Sequence, residues 1–159
     1  MPKDKTMDLV LWRHAEAIDL ELVGDDMLRT LTPRGEKQAL RMGAWLDRQL
    51  PASTKVMASP ALRAEQTAKG LDRKFKTYSA LAPLASVEDL LALVHWPDAQ
   101  GCVMVVGHQP TLGQTASRLL GMGEAECSIK KGGVWWLRLR EREATTEVSV
   151  VAVLSPDLI

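Results

Sequence analysis

Short apolar runs that alternate with helix starts are the feature that most constrains the fold of this chain of 159 residues. The runs at 8–12, 55–58 and 102–106 each predict a short buried strand. A Thr-Pro pair at 32–33 is typical of a helix cap followed by proline at the first helical position, and it predicts a helix over about 33–49. The repeated order of strand and helix predicts a layered α/β domain with a mainly parallel sheet.

The remaining segments complete this pattern. They are a helix from Ser59-Pro60 through Leu71, a shorter helix from Ser86, a helix from Pro110 to near Gly121, and closing strands at 134–139 and 148–153. The two closing strands predict an antiparallel edge on the sheet. The polar segment 13–31 has no sustained period, so we expect an irregular loop that holds site residues. We expect a single domain over residues 1–159.

Composition excludes several classes of protein. Acidic and basic residues balance at 20 each, so no global charge attracts nucleic acid or an anionic membrane, and phosphate binding must depend on local charge. Two cysteines, Cys102 and Cys127, are too few for a disulfide framework, which predicts a reducing, cytoplasmic location. The N-terminal residues 1–6 are polar, and Arg13 interrupts the apolar stretch that follows. We therefore expect neither a secretion signal nor a membrane span.

The candidate functional residues lie where predicted strands end. Arg13 and His14 follow the first strand, His108 follows the strand at 102–106, and Ser59 follows the strand at 55–58. Ligands of open α/β sheets bind beyond the carboxyl ends of the strands, so these residues should share one crevice. Arg63 lies one turn into the helix that follows Ser59. A lone histidine is more often structural, but two imidazoles together with two guanidinium groups predict a site that handles phosphoryl groups.

The chemistry of these side chains supports a nucleophilic histidine. Guanidinium groups match phosphate oxygens and stay protonated, and the helix starts at Pro60 and Pro110 add partly positive backbone donors. A histidine attacks phosphorus only as neutral imidazole, and nearby arginines should lower its pKa from about 6.5. We favour His14 over His108 as the nucleophile because Arg13 adjoins it.

Four segments carry a resemblance to a known family. They are Leu11–Ala17, Leu31–Gly35, Ser59–Ala68 and Val106–Pro110, and they lie between about residues 8 and 115. In this order they resemble the histidine phosphatase superfamily, and most closely its SixA-type phosphohistidine phosphatases. The resemblance implies a phosphoglycerate mutase-like fold, which is a three-layer α/β/α sandwich around a mainly parallel sheet.

The resemblance also implies roles for individual residues. His14 becomes phosphorylated, Arg13 and Arg63 hold the phosphoryl oxygens, His108 stabilises the transition state, and Ser59 lies with them in the substrate pocket. Neither a metal ion nor another cofactor is implied. The implied partner is a protein that bears phosphohistidine, such as a phosphocarrier or a histidine phosphotransfer domain.

The sequence departs from the wider family at two positions. Ala15 stands where many members have glycine, although alanine at this position resembles the SixA-like branch. Pro83 stands where mutases and many small-molecule phosphatases carry a general-acid glutamate. Phosphohistidine needs less acid assistance than an ester, because its leaving imidazole departs as a neutral ring. Glu16, Glu88 or Asp89 could supply a proton, although a solvated loop explains Glu16 and a helix first turn explains the other two.

Two other functions remain open at this level: a phosphatase of small phosphate esters or sugar phosphates, and a non-catalytic module that binds phosphoproteins. The three histidines match no short metal-ligand spacing, and His95 fits a helix end. Lys130 and Lys131 either line the pocket rim or form a charged turn. Trp135 and Trp136 fit sheet packing better than docking. The sequence does not predict the oligomeric state.

Overall fold

Six strands form one mixed sheet in the computed structural model, which describes residues 5–123 and 125–159. In chain order they are β1 (Lys5–Arg13), β2 (Lys55–Ala58), β3 (Lys76–Thr77), β4 (Gly101–Gly107), β5 (Val134–Arg142) and β6 (Thr145–Leu154). Their order across the sheet is β3-β2-β4-β1-β5-β6. The first four strands are parallel, β5 is antiparallel to β1, and β6 is antiparallel to β5. The predicted mainly parallel sheet with an antiparallel edge is confirmed.

The helices cover both faces of the sheet. They are α1 (Pro33–Gln49), α2 (Leu62–Lys69), α3 (Val87–Leu93) and α4 (Thr111–Leu119). Alternate residues of β1 point to opposite faces, as the pleat of a strand requires. Leu9 and Leu11 join the core beneath α3 and α4, whereas Val10 and Trp12 join the core beneath α1 and α2. The result is the three-layer α/β/α sandwich that the resemblance implied.

Helix α1 has the bounds that its sequence predicts. The Thr32 hydroxyl accepts a hydrogen bond from the Gly35 N–H, and Pro33 occupies the first helical position. Helix α2 differs from the prediction, because it begins at Leu62 rather than at Pro60 and ends at Lys69. The Ser59 N–H donates to the Val106 carbonyl oxygen over 2.9 Å, so Ser59 continues the sheet contacts of β2, and Ala61 is the cap residue of the helix.

Other boundaries differ by a few residues. Pro110 precedes α4 as its cap, and the helix ends at Leu119, before the predicted end near Gly121. Strands β1, β4, β5 and β6 are each longer than predicted, and β3 was not predicted. Segment 13–31 contains two 3-10 turns, Leu20–Leu22 and Asp26–Leu28.

None of the helices within residues 5–123 and 125–159 is long and apolar enough to cross a membrane. Residues 1–4 of the polar N-terminal segment lie outside the described residues.

Candidate active site

The two strand ends that carry histidine lie side by side. Strands β1 and β4 are neighbours, Arg13 pairs with Gly107 in the register, and the His14 N–H donates to the Gly107 carbonyl oxygen over 3.0 Å. The next residue, His108, therefore projects from the same edge of the sheet as His14. The centroids of the two imidazole rings are 5.2 Å apart. The structure thus places both histidines in one crevice at the carboxyl ends of the parallel strands.

His14 is buried and its ring has a defined orientation. Its Nδ1 lies 2.8 Å from the carbonyl oxygen of Ala15. A carbonyl only accepts, so Nδ1 carries the proton and the lone pair lies on Nε2. Burial, followed by the charges of Arg63, Arg13 and Arg29, lowers the pKa of His14 to about 4, although the Ala15 carbonyl opposes the change. His14 is therefore neutral at pH 7, and burial contributes more to this state than the arginine charges that the sequence suggested.

His108 contacts two of the other predicted site residues. Its Nδ1 lies 3.4 Å from Arg63 Nη2, and its Nε2 lies 2.7 Å from Ser59 Oγ. Guanidinium only donates, so Nδ1 accepts from Arg63 and the Nε2–H donates to the Ser59 hydroxyl. Burial, with smaller contributions from His14 and Arg63, lowers the pKa of His108 to about 3. Ser59 is fully buried, and its hydroxyl is satisfied by the His108 ring. Ser59 thus orients His108.

Both arginines have a buried Nε that pairs with no described residue. Arg63 is 4% exposed and donates through Nη1 to the Asp26 carbonyl oxygen over 2.7 Å. Arg13 Nη1 donates to the Ile129 carbonyl oxygen over 2.8 Å. Within the described residues, the Nε of each arginine is buried without a hydrogen-bond partner. Burial lowers the pKa of both groups, yet guanidinium stays protonated at neutral pH. Unsatisfied charged donors beside two imidazoles are suited to the oxygens of an anion.

Asp26 and Arg29 belong to this charge cluster but were not predicted. Asp26 Oδ2 lies 3.1 Å from Arg63 Nη2, and Asp26 Oδ1 lies 3.2 Å from Arg29 Nη1. Burial alone raises the pKa of the Asp26 carboxyl, but hydrogen bonds from Arg29 and Arg63 hold it below its usual range. The signal in the sequence was the spacing of an acid and an arginine three residues apart, Asp26 and Arg29, which indicates an ion pair within the irregular segment. Asp26 therefore orients the guanidinium of Arg63 and partly neutralises it.

Residues behind the site support it structurally. The Thr67 hydroxyl accepts from the Ala15 N–H over 3.0 Å, and the Gln66 side chain accepts from the Leu31 N–H over 2.8 Å. A Cβ at Gly35 would collide with the backbone carbonyl of Glu16, so α1 can approach the site loop this closely only with glycine. These contacts fix the loop that follows His14.

The three carboxylates considered as proton donors have structural partners. Glu88 forms an ion pair with Arg118 at 2.7 Å, and Asp89 forms a capping box with Ser86 at the start of α3. The hydroxyl of Thr32 donates to Glu16 Oε2 over 2.7 Å. Glu88 and Asp89 lie in the first turn of α3, as the sequence predicted, whereas Glu16 is half-buried and hydrogen-bonded rather than part of a solvated loop.

The remaining candidates lie outside the histidine pair. His95 is exposed after α3, and Trp136 is buried with its Nε1–H donating to Asp8 Oδ2 over 3.0 Å. Lys130 and Lys131 are exposed in a turn whose Gly132 N–H donates to the His14 carbonyl oxygen over 3.0 Å. Among residues 5–123 and 125–159, no group of three or more His, Cys, Asp or Glu side chains is placed to hold a metal ion.

The depressed histidine pKa values predict a pH-dependent stability. The pKa of an unfolded imidazole is about 6.5, whereas the folded pKa values are about 4 for His14 and about 3 for His108. At pH values between these limits the unfolded chain binds more protons. The free energy of unfolding should therefore fall, as the pH decreases from 6.5 towards 4, by about 1.4 kcal/mol per pH unit for each histidine.

Urea denaturation at several pH values measures this slope. His14→Asn and His108→Asn should each remove about half of it in the range pH 4.5–6. Asp26 does not contribute in this range. Its folded pKa lies below the unfolded value of about 3.9, so its protonation reduces the free energy of unfolding only below about pH 4. A slope that is unchanged in both variants would show that other groups cause the pH dependence.

Comparison with known proteins agrees with this geometry. The sequence profile of the histidine phosphatase superfamily (branch 1) matches residues 9–91. An uncharacterized protein of Picosynechococcus sp. is 33% identical over 142 residues, which cover 83% of this chain and 85% of the relative. A structure from Nakamurella multipartitia, proposed to be the phosphohistidine phosphatase SixA, is 26% identical, with a TM-score of 0.76 over 95% of this chain and 96% of that one.

A second solved structure has the same fold. It is the protein histidine phosphatase SixA complexed with tungstate, which is 23% identical, with a TM-score of 0.78 over 96% of this chain and 99% of that chain. The profile match covers more than half of the chain and includes the segment that contains Arg13, His14, Ser59 and Arg63. Family membership therefore follows from sequence and fold together: this chain belongs to the histidine phosphatase superfamily (branch 1).

Proposed function

We propose that this protein removes phosphate from phosphohistidine on a partner protein, and that the phosphoryl group passes through His14. Membership of the superfamily supports phosphatase activity. One observation carries the proposal: the neutral His14, with its Nε2 lone pair free, lies among arginines whose Nε donors are buried and unpaired. A nucleophile and anion-binding donors in one buried crevice suit phosphoryl transfer.

In the first step, the His14 Nε2 lone pair attacks phosphorus and the P–N bond to the substrate imidazole breaks. The electron pair of that bond returns to the leaving nitrogen, and the ring departs neutral when its other nitrogen carries a proton. The Ala15 carbonyl holds the Nδ1 proton of His14, so it stabilises the positive charge that develops on this ring. Arg13 and Arg63 neutralise the charge on the phosphoryl oxygens.

In the second step, water attacks the phosphorus of phospho-His14. The bond to Nε2 breaks and its electron pair returns to Nε2, the protons of the water leave with the phosphate as dihydrogen phosphate, and His14 returns to its neutral state. His108 and Arg63 are hydrogen-bonded to each other, so a phosphoryl group held by Arg63 lies beside the His108 ring. A phosphoryl dianion favours the protonated form of a neighbouring imidazole, which would allow His108 to donate to a phosphoryl oxygen.

The contacts of the carboxylates support phosphohistidine over an ester as the substrate. An alkoxide leaving group requires a proton donor. The resemblance puts Pro83 at the position of the family acid, and Glu16, Glu88 and Asp89 each have a structural partner. A neutral imidazole leaving group needs no such donor. The likeness to the SixA-type structures supports the same substrate class.

A substrate panel without added metal tests this proposal. A histidine phosphotransfer domain carrying phosphohistidine should release phosphate at least about tenfold faster than an alkyl ester such as a sugar phosphate, because the alkoxide leaving group of the ester needs an acid. Rapid quenching should trap phosphate on His14 that is labile to acid and stable to base. Faster turnover of the esters would favour a small-molecule phosphatase. Binding of the phosphorylated domain without phosphate release would indicate a non-catalytic module.

A further inference from the structure

The turn at residues 130–133 connects the phosphoryl pocket to the C-terminal end of the chain. The Gly132 N–H donates to the carbonyl oxygen of His14 over 3.0 Å, and the Gly133 N–H donates to that of Lys130 over 2.7 Å. Gly132 has a φ of +72°, and a Cβ at this position would approach Pro156 Cγ to 2.9 Å. The turn is therefore held between the His14 backbone on one side and the C-terminal 3-10 turn on the other.

An apolar cleft of about 190 Å³ lies beside this turn. Ile129, Trp135, Val153 and Leu158 provide its apolar lining, and Lys130 lines it as well. Val153 is 47% exposed and Leu158 is 75% exposed, so apolar surface is open to solvent here. The volume suits one aliphatic side chain and is below the roughly 300–1,000 Å³ of small-molecule pockets.

The cleft and the phosphoryl pocket share a residue. The carbonyl oxygen of Ile129 accepts the hydrogen bond from Arg13 Nη1, while the same residue lines the cleft. The cleft therefore borders the phosphoryl pocket, and a protein surface is large enough to contact both.

Two lysines lie at the cleft, Lys130 in its lining and Lys131 next to it in sequence. Lys130 and Lys131 are exposed, and their ammonium groups form no hydrogen bond or ion pair with any described residue. Segments 128–131 and 153–158 contain these two lysines and one acidic residue, Asp157. This local excess occurs in a chain whose formal net charge is zero. Such a surface favours a partner that carries carboxylates.

We propose that this cleft is the docking surface for the protein that carries the phosphohistidine. The cleft receives an aliphatic side chain of the partner, and Lys130 and Lys131 face carboxylates beside it. This inference rests on the proposed function, because it requires a protein substrate. The phosphoryl transfer does not use the lysine pair or Trp135, and docking gives these residues a role.

Two surface variants test the docking surface: a Lys130→Glu/Lys131→Glu double variant and Leu158→Ser. The substrates are a histidine phosphotransfer domain phosphorylated on its histidine, and free phosphohistidine. For the domain, we expect kcat/KM to fall about tenfold or more in the charge reversal and about fivefold in Leu158→Ser, mainly through KM. For free phosphohistidine, kcat/KM should stay within about twofold. Added salt should slow the wild type on the domain more than the double variant.

Matched controls use exposed residues on other surfaces. Lys74→Glu reverses a charge beside a separate cavity at the β2–β3 edge, and Leu40→Ser alters a leucine on α1 that is 63% exposed. Neither should change turnover of the domain. Equal losses on both substrates, or no loss on either, would overturn the docking surface. If the wild type hydrolyses phosphomonoesters but not the phosphorylated domain, the proposed function itself is wrong, and the docking surface with it.

Discussion

Replacing His14 by Asn is expected to lower kcat for phosphate release from a phosphohistidine protein by about 10⁴-fold or more, because the covalent route loses its nucleophile. Asparagine can keep a hydrogen bond to the Ala15 carbonyl oxygen but has no nucleophilic nitrogen. Acid-labile phosphate on the enzyme should also disappear. Stopped-time assays of inorganic phosphate, together with quench-flow trapping, measure both effects.

Two controls separate lost chemistry from lost structure. His95→Asn changes an exposed histidine outside the site and should leave kcat within about twofold. The His14→Asn variant should still bind inorganic phosphate, since Arg13 and Arg63 keep their unpaired Nε donors. Full turnover by this variant would show that the phosphoryl group reaches water without His14. Trapped phosphate on another residue would assign the nucleophile elsewhere.

The accuracy of the sequence-based predictions depends on how local each determinant is. Helix α1 was predicted with its observed bounds because its cap, its proline and its apolar spacing all lie within 33–49. The start of α2 was wrong by two residues because the Ser59 N–H bonds to Val106, a contact that arises only in the folded sheet. Strand β3 has two exposed residues and therefore no hydrophobic pattern to detect.

The same distinction applies to the site. Arg13 and His14 follow an apolar run directly, so their position at a strand end could be predicted. The spacing of Asp26 and Arg29 indicated at most their own ion pair, because the contact that brings Asp26 into the site is with Arg63, which lies 37 residues away in sequence. The cause of the low His14 pKa was also only partly predicted. Arginine neighbours were visible in the sequence, but the burial that contributes most depends on packing around the crevice.

Burial also explains how a neutral chain can bind a dianion. The half-buried guanidinium of Arg13 and the buried one of Arg63 each have a protein acceptor as well as an unpaired Nε: the Ile129 carbonyl for Arg13, and Asp26 for Arg63. The acceptors limit the cost of burying the charges when the site is empty. The two Nε donors remain for the ligand, and both imidazoles are neutral. The pocket therefore attracts phosphate through a few fixed donors, without a large net charge.

Replacing Arg63 by Ala is expected to lower kcat/KM for the phosphohistidine protein by about 10³-fold, since a guanidinium that stabilises transferring phosphoryl oxygens typically contributes about 10³–10⁵. The substitution also leaves His108 Nδ1 without its donor and removes one of the two ion pairs of Asp26. Arg63→Lys keeps the charge but not the planar fork, so it should recover only about tenfold. Initial rates over a range of substrate concentrations measure kcat and KM separately.

Arg73 provides the matched control for this loss, because it is also an arginine that binds a carboxylate and backbone carbonyls. Its Nε donates to Asp47 Oδ1 over 2.8 Å, and its other donors reach the carbonyl oxygens of Pro51, Leu50 and Asp47. Arg73→Ala should reduce thermal stability but leave kcat/KM unchanged. If both alanine variants lost activity in proportion to their stability, Arg63 would act through the fold. A selective loss in Arg63→Ala, with the fold intact by circular dichroism, would place its guanidinium on the reacting phosphoryl group.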